Sequence, residues 1–251
     1  GEVMLCLHRC LSGVASSSPS PSLPKKLQIV YFPVRARAES SRMILEYGSI
    51  IYEDLSVMDY FGKPWNEAKS QAPWAQLPLL IVDGQVIAQS GAQVRYCAGL
   101  VPALVPADPV VRAQCDAVFE ATQELVTGGS PSNVNPIVNV FKDEMFDSKK
   151  ADFFKLVPPK IENLSQQLGA GPFFFGEKPL YCDFGAYHVL SNTLLLEPTI
   201  LNPYPNLLNF MTAFEALKGV KDYLAGRPKC VGIGTAPVLE PAICGMRART
   251  Q

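Results

Sequence analysis

The stretch QLPLLIVDGQVIAQSGAQVRY, from Gln76 to Tyr96, constrains this chain more than any other. Asp83-Gly84 stands between two apolar runs, Leu79–Val82 and Val86–Ala88. A type I′ turn needs positive φ at both central residues, so an Asp-Gly pair placed this way predicts a tight β-hairpin. Gln89-Ser90 then opens a helix that carries Val94 and Tyr96. Ser90 is expected to be its N-cap, because the hydroxyl can accept from a free backbone N–H one turn in. Two features suggest chemistry. Pro78 begins a strand that otherwise reads as buried, and a residue without an N–H must lie at a strand start or an edge. A cis Leu77-Pro78 bond would turn the N–H and C=O of Leu77 outward, where an extended ligand could pair with them as a further strand would. The amino end of the helix at Ser90 suits a carboxylate or phosphate. An ordinary hairpin followed by a capped helix accounts for the same residues equally well.

Upstream, Leu27–Phe32 reads as a strand with both faces apolar, as in a sheet covered on both sides. Tyr31 falls near its carboxyl end, where open α/β sheets gather their ligands. Pro33 stops the strand. Arg37–Tyr47 reads as a helix with Ala38, Ser41, Leu45 and Gly48 on one stripe, and Ile51–Leu55 as a second strand. Before Gln76 there is room for one short helix, around Trp65–Ser70. The order βαβ-α-ββα over residues 27 to 98 is that of a thioredoxin-like domain.

After a linker at 99–108 the pattern turns helical. Val110, Ala117, Val118, Ala121 and Leu125 recur at helical spacing. GGSPSNVNP at 128–136 breaks or bends that helix. A second helical region runs from Asp147 to Leu168, and Pro158-Pro159 predicts a kink or a new start inside it. Asp183–Leu196 is apolar all round and is expected to be central. Tyr204–Leu217 and Val220–Leu224 give two shorter helices. The fold class is therefore α/β plus all-α. A thioredoxin-like domain over 25–98 precedes an all-helical domain over 109–228. A Ser- and Pro-rich leader at 1–24 and a tail at 229–251 without periodicity are both expected to be disordered. An organelle transit peptide is the other reading of the leader, and the opening Gly, rather than Met, fits a fragment.

Composition removes several function classes. The charges nearly cancel, with 22 basic and 23 acidic residues, so nothing favours nucleic acid. No apolar run is long enough for a transmembrane helix. Seven cysteines at irregular spacings do not form a disulfide framework and fit a reducing, cytoplasmic compartment. Cys6 and Cys10 lie close together, but only His8 and His188 exist in the whole chain, so no metal site is expected.

Residues 30–54, VYFPVRARAESSRMILEYGSIIYED, resemble the start of a cytosolic glutathione S-transferase of the tyrosine type. The family pattern there is Tyr-Phe, Arg-Gly-Arg-Ala-Glu, an Arg-led helix and Tyr-Glu-Asp. Residues 73–96 resemble the second part of the same domain, with Leu-Pro, Val-Asp-Gly, Gln-Ser and Arg-Tyr in order. FFFGEKPLYCDF resembles the entry to the buried helix of the family's second domain, although Leu180 stands where a capping Ser/Thr is usual and only Asp183 remains of the capping box. The similarity covers about residues 27–228. The sigma class is nearest, with mu and pi as neighbours.

The resemblance implies glutathione as co-substrate, a small hydrophobic electrophile as second substrate, and a homodimer. It makes Tyr31 the donor to the glutathione thiolate. A free thiol ionises near pKa 8.5, and lowering that by about two units takes roughly 2.7 kcal/mol, within reach of one hydrogen bond to a charged group at about 1.5–3 kcal/mol. Arg37 adds positive charge near the sulfur. Ala36 replaces the usual Gly, a change expected to be harmless if its φ is negative. Trp65 and Lys69 match residues at the glycine end of glutathione, and Gln76 a frequent Lys or Gln. Leu77 offers its backbone to the cysteinyl unit, with Pro78 cis. Gln89 and Ser90 hold the γ-glutamyl carboxylate. Glu120 matches an acid that crosses the dimer interface towards the amino group of glutathione. Asp116, Glu120 and Glu124 share a helix face, where like charges repel and a cationic ligand group would relieve them. The competing readings are a non-catalytic relative, since folds are reused without catalysis, and a glutathione-dependent isomerase or peroxidase. A cysteine-type transferase lacks its nucleophile, because residues 31–37 contain no Cys.

Overall fold

The computed structural model describes residues 23–127, 143–236 and 238–240. Residues 1–22 of the leader, the break at 128–136 and residues 241–251 of the tail lie outside them. Strand β1, Leu27–Val30, sits between β2, Glu53–Leu55, and β3, Leu79–Val82, with β4, Gln85–Ala88, at the edge beyond β3. β1 runs parallel to β2 and antiparallel to β3, with Val30 opposite Leu55 and Leu79. Its alternation sorts two cores. Leu27 and Ile29 join the main core with the helix α1, Glu39–Tyr47, and the helix α4, Ser90–Gly99. Val30 faces the other way, into a smaller cluster with Ala72, Leu79 and Ile81 against Phe61 and Trp65. The hairpin turn has φ 48° at Asp83 and 86° at Gly84, the positive pair expected of Asp-Gly. The turn is pinned to the strand opposite: Lys26 N–H donates to the Asp83 carboxylate at 2.8 Å, and Asp83 N–H to Lys26 C=O at 2.9 Å.

Three local expectations change. The segment before Gln76 holds more than one short helix. It contains α2, Val57–Phe61, then α3, Trp65–Ala68, then 3-10 turns at Lys69–Gln71 and Pro73–Ala75. Ser56 and Asp59 form a reciprocal capping box that starts α2. Ser90 is the first residue of α4 and not its cap. Gln89 precedes it at φ 70°, so the chain enters that helix through a left-handed residue. Residues 36–38 form a 3-10 turn ahead of α1, with Ala36 at φ 35°. The positive φ there is the conformation for which the family's Gly is suited.

The second half holds α5, Pro109–Thr127; α6, Asp143–Leu168; α7, Tyr181–Leu196; α8, Pro205–Glu215; and α9, Val220–Gly226. Helix α7 is buried nearly all round, as its sequence predicts. Tyr187 stacks on Phe214 at 4.3 Å, and Phe184 meets Tyr47 of α1 edge-on at 5.7 Å, which joins the two halves. Asp183 completes half of a capping box: its carboxylate accepts from Leu180 N–H at 2.7 Å and from Phe174 N–H at 3.1 Å. No new helix starts at Pro158-Pro159. Helix α6 continues through both, because Phe153 and Val157 before them and Ile161 and Leu164 after them all pack into the core.

The tail is not wholly unstructured. β5, Lys229–Val231, pairs antiparallel with β6, Val238–Glu240, around a turn with Gly232 and Gly234 at positive φ. Gly234 C=O accepts from Asp143 N–H at 2.8 Å at the start of α6. A Cβ on Gly234 would stand 2.7 Å from the Phe146 ring, so the turn rests directly on that helix. Strands of three residues are too short for a periodicity to show. Among the described residues no helix is long and apolar enough to cross a membrane.

Candidate active site

The sheet register brings one end of three strands together. Tyr31 follows β1, Leu77-Pro78 precedes β3, and Gln89-Ser90 follows β4, with Val30 opposite Leu79 and Leu79 opposite Ala88. The Leu77-Pro78 bond is cis. Gln93, buried on α4, donates through Nε2 to Pro78 C=O at 2.7 Å and to Ile87 C=O at 2.9 Å. One carboxamide therefore fixes the helix to both hairpin strands beside the proline. Sequence reasoning passed over Gln93, and its only signal was a polar residue one turn from Ser90 on an otherwise apolar helix face.

Tyr31 is buried, its own N–H donating to Leu55 C=O at 3.1 Å. Its ring tilts against Phe32 at 5.6 Å, and Phe32 meets Trp65 edge-on at 6.0 Å. Burial raises the pKa of the phenol. The nearby Arg37 backbone and the guanidinium charges of Arg42 and Arg37 pull it down by less. The hydroxyl therefore keeps its proton and has it free to donate.

The loop from Phe32 to Arg37 is held from below by a buried ionic cluster. Arg42 is 1% exposed and binds Asp54 with two nitrogens, Nε at 2.6 Å and Nη2 at 3.1 Å. Its Nη1 donates to Val34 C=O at 2.9 Å and to Arg35 C=O at 3.4 Å. Glu39 lies between Arg42 Nη1 at 3.4 Å and Arg227 Nη1 at 2.7 Å. Arg35 Nη2 donates to Pro228 C=O at 2.7 Å. Burial pushes the Glu39 carboxyl up, but Arg227, then Arg42, outweigh it and bring it to about 2. Neighbouring His188 is pushed down to about 4 by burial and stays neutral. The Arg-Ala-Glu, Arg and Tyr-Glu-Asp residues of the sequence pattern are thus the foundation of the Tyr31 loop, a role that was not assigned to Glu39, Arg42 or Asp54 beforehand.

The remaining site residues are joined in smaller groups. Gln89 Nε2 donates to Gln76 Oε1 at 3.0 Å. Ser90 is buried at the head of α4. Glu120 reaches the same place, since a Cβ on Gly91 would lie 3.6 Å from Glu120 Oε1. Lys69 is exposed in its 3-10 turn and makes none of the contacts that link the others among the described residues. The acidic stripe on α5 is already relieved within the chain. Arg95 bridges Asp116 and Glu120, both at 2.6 Å, and Lys160 bonds Glu124. The argument that a cationic ligand must relieve it does not hold.

The family profile described as "Glutathione S-transferase, C-terminal domain" matches residues 134–227. The chain is 30% identical over 201 residues to "Glutathione S-transferase Mu 1" of Rattus norvegicus, covering 77% of this chain and 88% of that protein. It is 30% identical over 203 residues to "Glutathione S-transferase Mu 2" of Mus musculus, with the same coverage. Among solved structures, "rat hPGDS complexed with a quinoline" superposes with a TM-score of 0.69 at 24% identity, over 81% of this chain and 98% of that one. The Pi-class glutathione S-transferase of Onchocerca volvulus gives 0.66 at 22% identity, over 80% and 92%. At those identities the solved structures speak for the fold.

Proposed function

The chain belongs to the glutathione S-transferase family, and from that premise we propose that it transfers the glutathione thiol to small hydrophobic electrophiles, with Tyr31 stabilising the thiolate. The observation that carries this is the state of the Tyr31 hydroxyl. It stays protonated, because burial raises its pKa more than the Arg37 backbone and the Arg42 and Arg37 charges lower it, and it stands at the sheet end shared with Leu77-Pro78 and Ser90. A phenol that stays protonated where a thiol ionises can donate to the sulfur anion, and the thiolate is the reacting form. Arg37 supplies positive charge beside it. In this reading Leu77 pairs with the cysteinyl backbone, and Gln89, Ser90 and Gln76 take the γ-glutamyl end. Trp65 and Lys69 take the glycine carboxylate. The phenyl ring of Phe32 and the Val34 loop form part of the wall for the electrophile.

Within the family, the Tyr31-Phe32 and Arg35-Ala36-Arg37-Ala38-Glu39 run supports the sigma class, whereas the curated relatives carry mu-class names. The proposal is the coarser one, a tyrosine-type enzyme of the sigma, mu and pi group. A homodimer in the cytoplasm completes it. Two surfaces support the dimer. Trp74 is 76% exposed, held out at φ 59° in the turn before β3. A cavity of about 620 Å³ opens between α5 and α6, with Ala117, Val118, Ala121, Leu125, Leu164 and Phe175 among its walls. The hollow is also lined by Gln114, Glu124, Lys160, Asn163 and Gln167, and in the proposed dimer the aromatic knob of one copy would enter the hollow of the other across a twofold axis. Glu120 would then serve the glutathione of the second copy, with Arg95 as its resting partner.

The test is retention on immobilised glutathione together with turnover of a generic electrophile. Tyr31→Phe should lower turnover by about ten- to a hundredfold, the value of one charge-assisted hydrogen bond, with retention nearly intact. Unchanged turnover removes Tyr31 from the mechanism. Retention without turnover in the unaltered chain favours a non-catalytic relative.

A further inference from the structure

Helices α5 and α7 pack directly on each other, through the Tyr181–Asp116 bond and the bare face of Gly185. Tyr181 O–H, at the start of α7, donates to Asp116 Oδ1 at 2.6 Å, and lies 3.2 Å from Arg112 C=O, both on α5. One turn further along, Gly185 faces Phe119 and Thr122. A Cβ there would stand 2.8 Å from each, so only hydrogen fits. Between these two contacts the chain places Cys115 on α5 and Cys182 on α7, both fully buried. Each is next in sequence to a partner of the Tyr181–Asp116 bond. The Tyr181–Asp116 bond on one side and the close approach at Gly185 on the other place both cysteines in the same short stretch of the α5/α7 seam, and each thiol shifts the ionisation of the other. The pair is asymmetric: contact with Cys182 holds the Cys115 thiol below its ordinary value, and burial pushes Cys182 well above. Cys97 makes the contrast. It is equally buried and is pushed up to about 12 by burial.

We propose that Cys115 and Cys182 are a redox pair, oxidised by a small hydroperoxide to a disulfide that staples α5 to α7. The Cys115 thiolate attacks the distal peroxide oxygen. The O–O bond breaks, the alkoxide or hydroxide leaves and takes up a proton, and Cys115 becomes a sulfenic acid. The Cys182 sulfur then attacks the Cys115 sulfur, its proton leaving with the hydroxyl as water, and the S–S bond closes. Two thiols are oxidised, one peroxide is reduced, and the products are an alcohol or water and one further water. Two thiols of external glutathione reverse it, releasing glutathione disulfide. Both sulfurs are buried, so the reaction follows local opening of the α5/α7 seam and favours a small oxidant over a bulky disulfide. In reducing compartments, disulfides of this kind are usually redox-responsive ones. Nothing in this step uses Tyr31, so it stands apart from the conjugating activity.

The experiment treats the full chain with hydrogen peroxide, alkylates free thiols after unfolding, and maps the peptides by mass spectrometry. The expected product is a peptide pair joined through Cys115 and Cys182, two hydrogens lighter than the reduced pair and separated again by thiol. The oxidised chain should also unfold several degrees higher than the reduced one. Cys182→Ser should instead leave a sulfenic acid on Cys115 that dimedone traps. The proposal fails if both cysteines stay fully alkylatable while Cys230 or others oxidise, or if Cys115 bridges to a different residue. The peptide map of the unaltered chain decides this even if the variant folds poorly.

Discussion

Replacing Glu39 by Gln removes one charge from the centre of the cluster beneath Tyr31. The side chain is 1% exposed and touches Arg227 and Arg42, so the substitution leaves two buried guanidinium groups short of an anion. The carboxyl stands at about 2 against an ordinary 4.5, and at about 1.36 kcal/mol per unit that difference is worth about 3 kcal/mol at neutral pH. Breaking a buried pair by removing one partner costs a similar amount, about 3–5 kcal/mol. In a chain of this size each kcal/mol moves the midpoint by about 2–4 °C, so Glu39→Gln should melt roughly 6–12 °C lower at pH 7. The folded-state value is depressed, so the carboxylate's contribution is fully present above 4.5 and is lost as pH falls towards 2. The gap between the two proteins should therefore be widest above about pH 5 and close steadily below 4.5. Thermal unfolding followed by circular dichroism at a series of pH values reads both quantities. Adding Arg227→Met to Glu39→Gln should cost much less than the two changes summed, since the pair is lost only once. A midpoint within 2 °C of the parent at pH 7, or a gap that persists unchanged to pH 2, would refute the reasoning.

Two further outcomes follow from the packing. Gly185→Ala forces a methyl group against Phe119 and Thr122 at 2.8 Å, and should lower stability by about 1–3 kcal/mol in denaturant titration, with the slope m unchanged. Trp74→Ala should convert a dimer to a monomer in sedimentation at micromolar concentration while leaving the monomer's melting profile close to the parent's, because the side chain is 76% exposed. Sedimentation of the variant as a dimer would remove Trp74 from the interface.

What the sequence made legible was local. Asp83-Gly84 announced its hairpin because the turn chemistry is carried by two adjacent residues, and α7 announced its burial because it has no polar face. The Tyr31 strand was readable from alternation, and its two-sided covering is what the two core clusters contain. Of the short helices between Val57 and Ala75, the one at Trp65–Ala68 was anticipated, whereas Val57–Phe61 escaped because one turn cannot display a period, even though Ser56 and Asp59 carry a complete capping pair. The positive φ at Ala36 escaped for a different reason: alanine gives no sign of it, and only the family's Gly at that place hinted at it. The buried cluster was the largest omission. Arg42 meets Asp54 twelve positions away and Glu39 meets Arg227 near the far end of the chain, and no spacing rule reaches that distance. Arg95 was likewise unseen as the partner of Asp116 and Glu120, because helix-face reasoning considers one helix at a time.

The same cluster decides which cation acts at the active site. Arg37 and Arg42 both draw the Tyr31 phenol towards ionisation. Arg42, however, is matched by Asp54 at 2.6 Å and by Glu39, and its remaining donors are spent on the Val34 and Arg35 carbonyls. The pull of its charge on the phenol is larger than that of Arg37, but its donors are all taken, so its work is to hold the loop. Arg37 is only half-buried and makes no ion pair among the described residues. Its charge therefore remains available to an anion arriving beside Tyr31. Burial keeps the phenol protonated against this pull, so in the proposed reaction the positive charge would be left for the sulfur rather than for the tyrosine's own oxygen. A thiol ordinarily ionises about 1.5 units below a phenol, and in a site that penalises the phenolate and retains one uncompensated guanidinium the proton should stay on oxygen and the negative charge on sulfur. In the proposed reaction that division would let Tyr31 act as a donor without being consumed as an acid, and it would depend on the helical domain, whose Arg227 and Pro228 fix Glu39 and Arg35 beneath the loop.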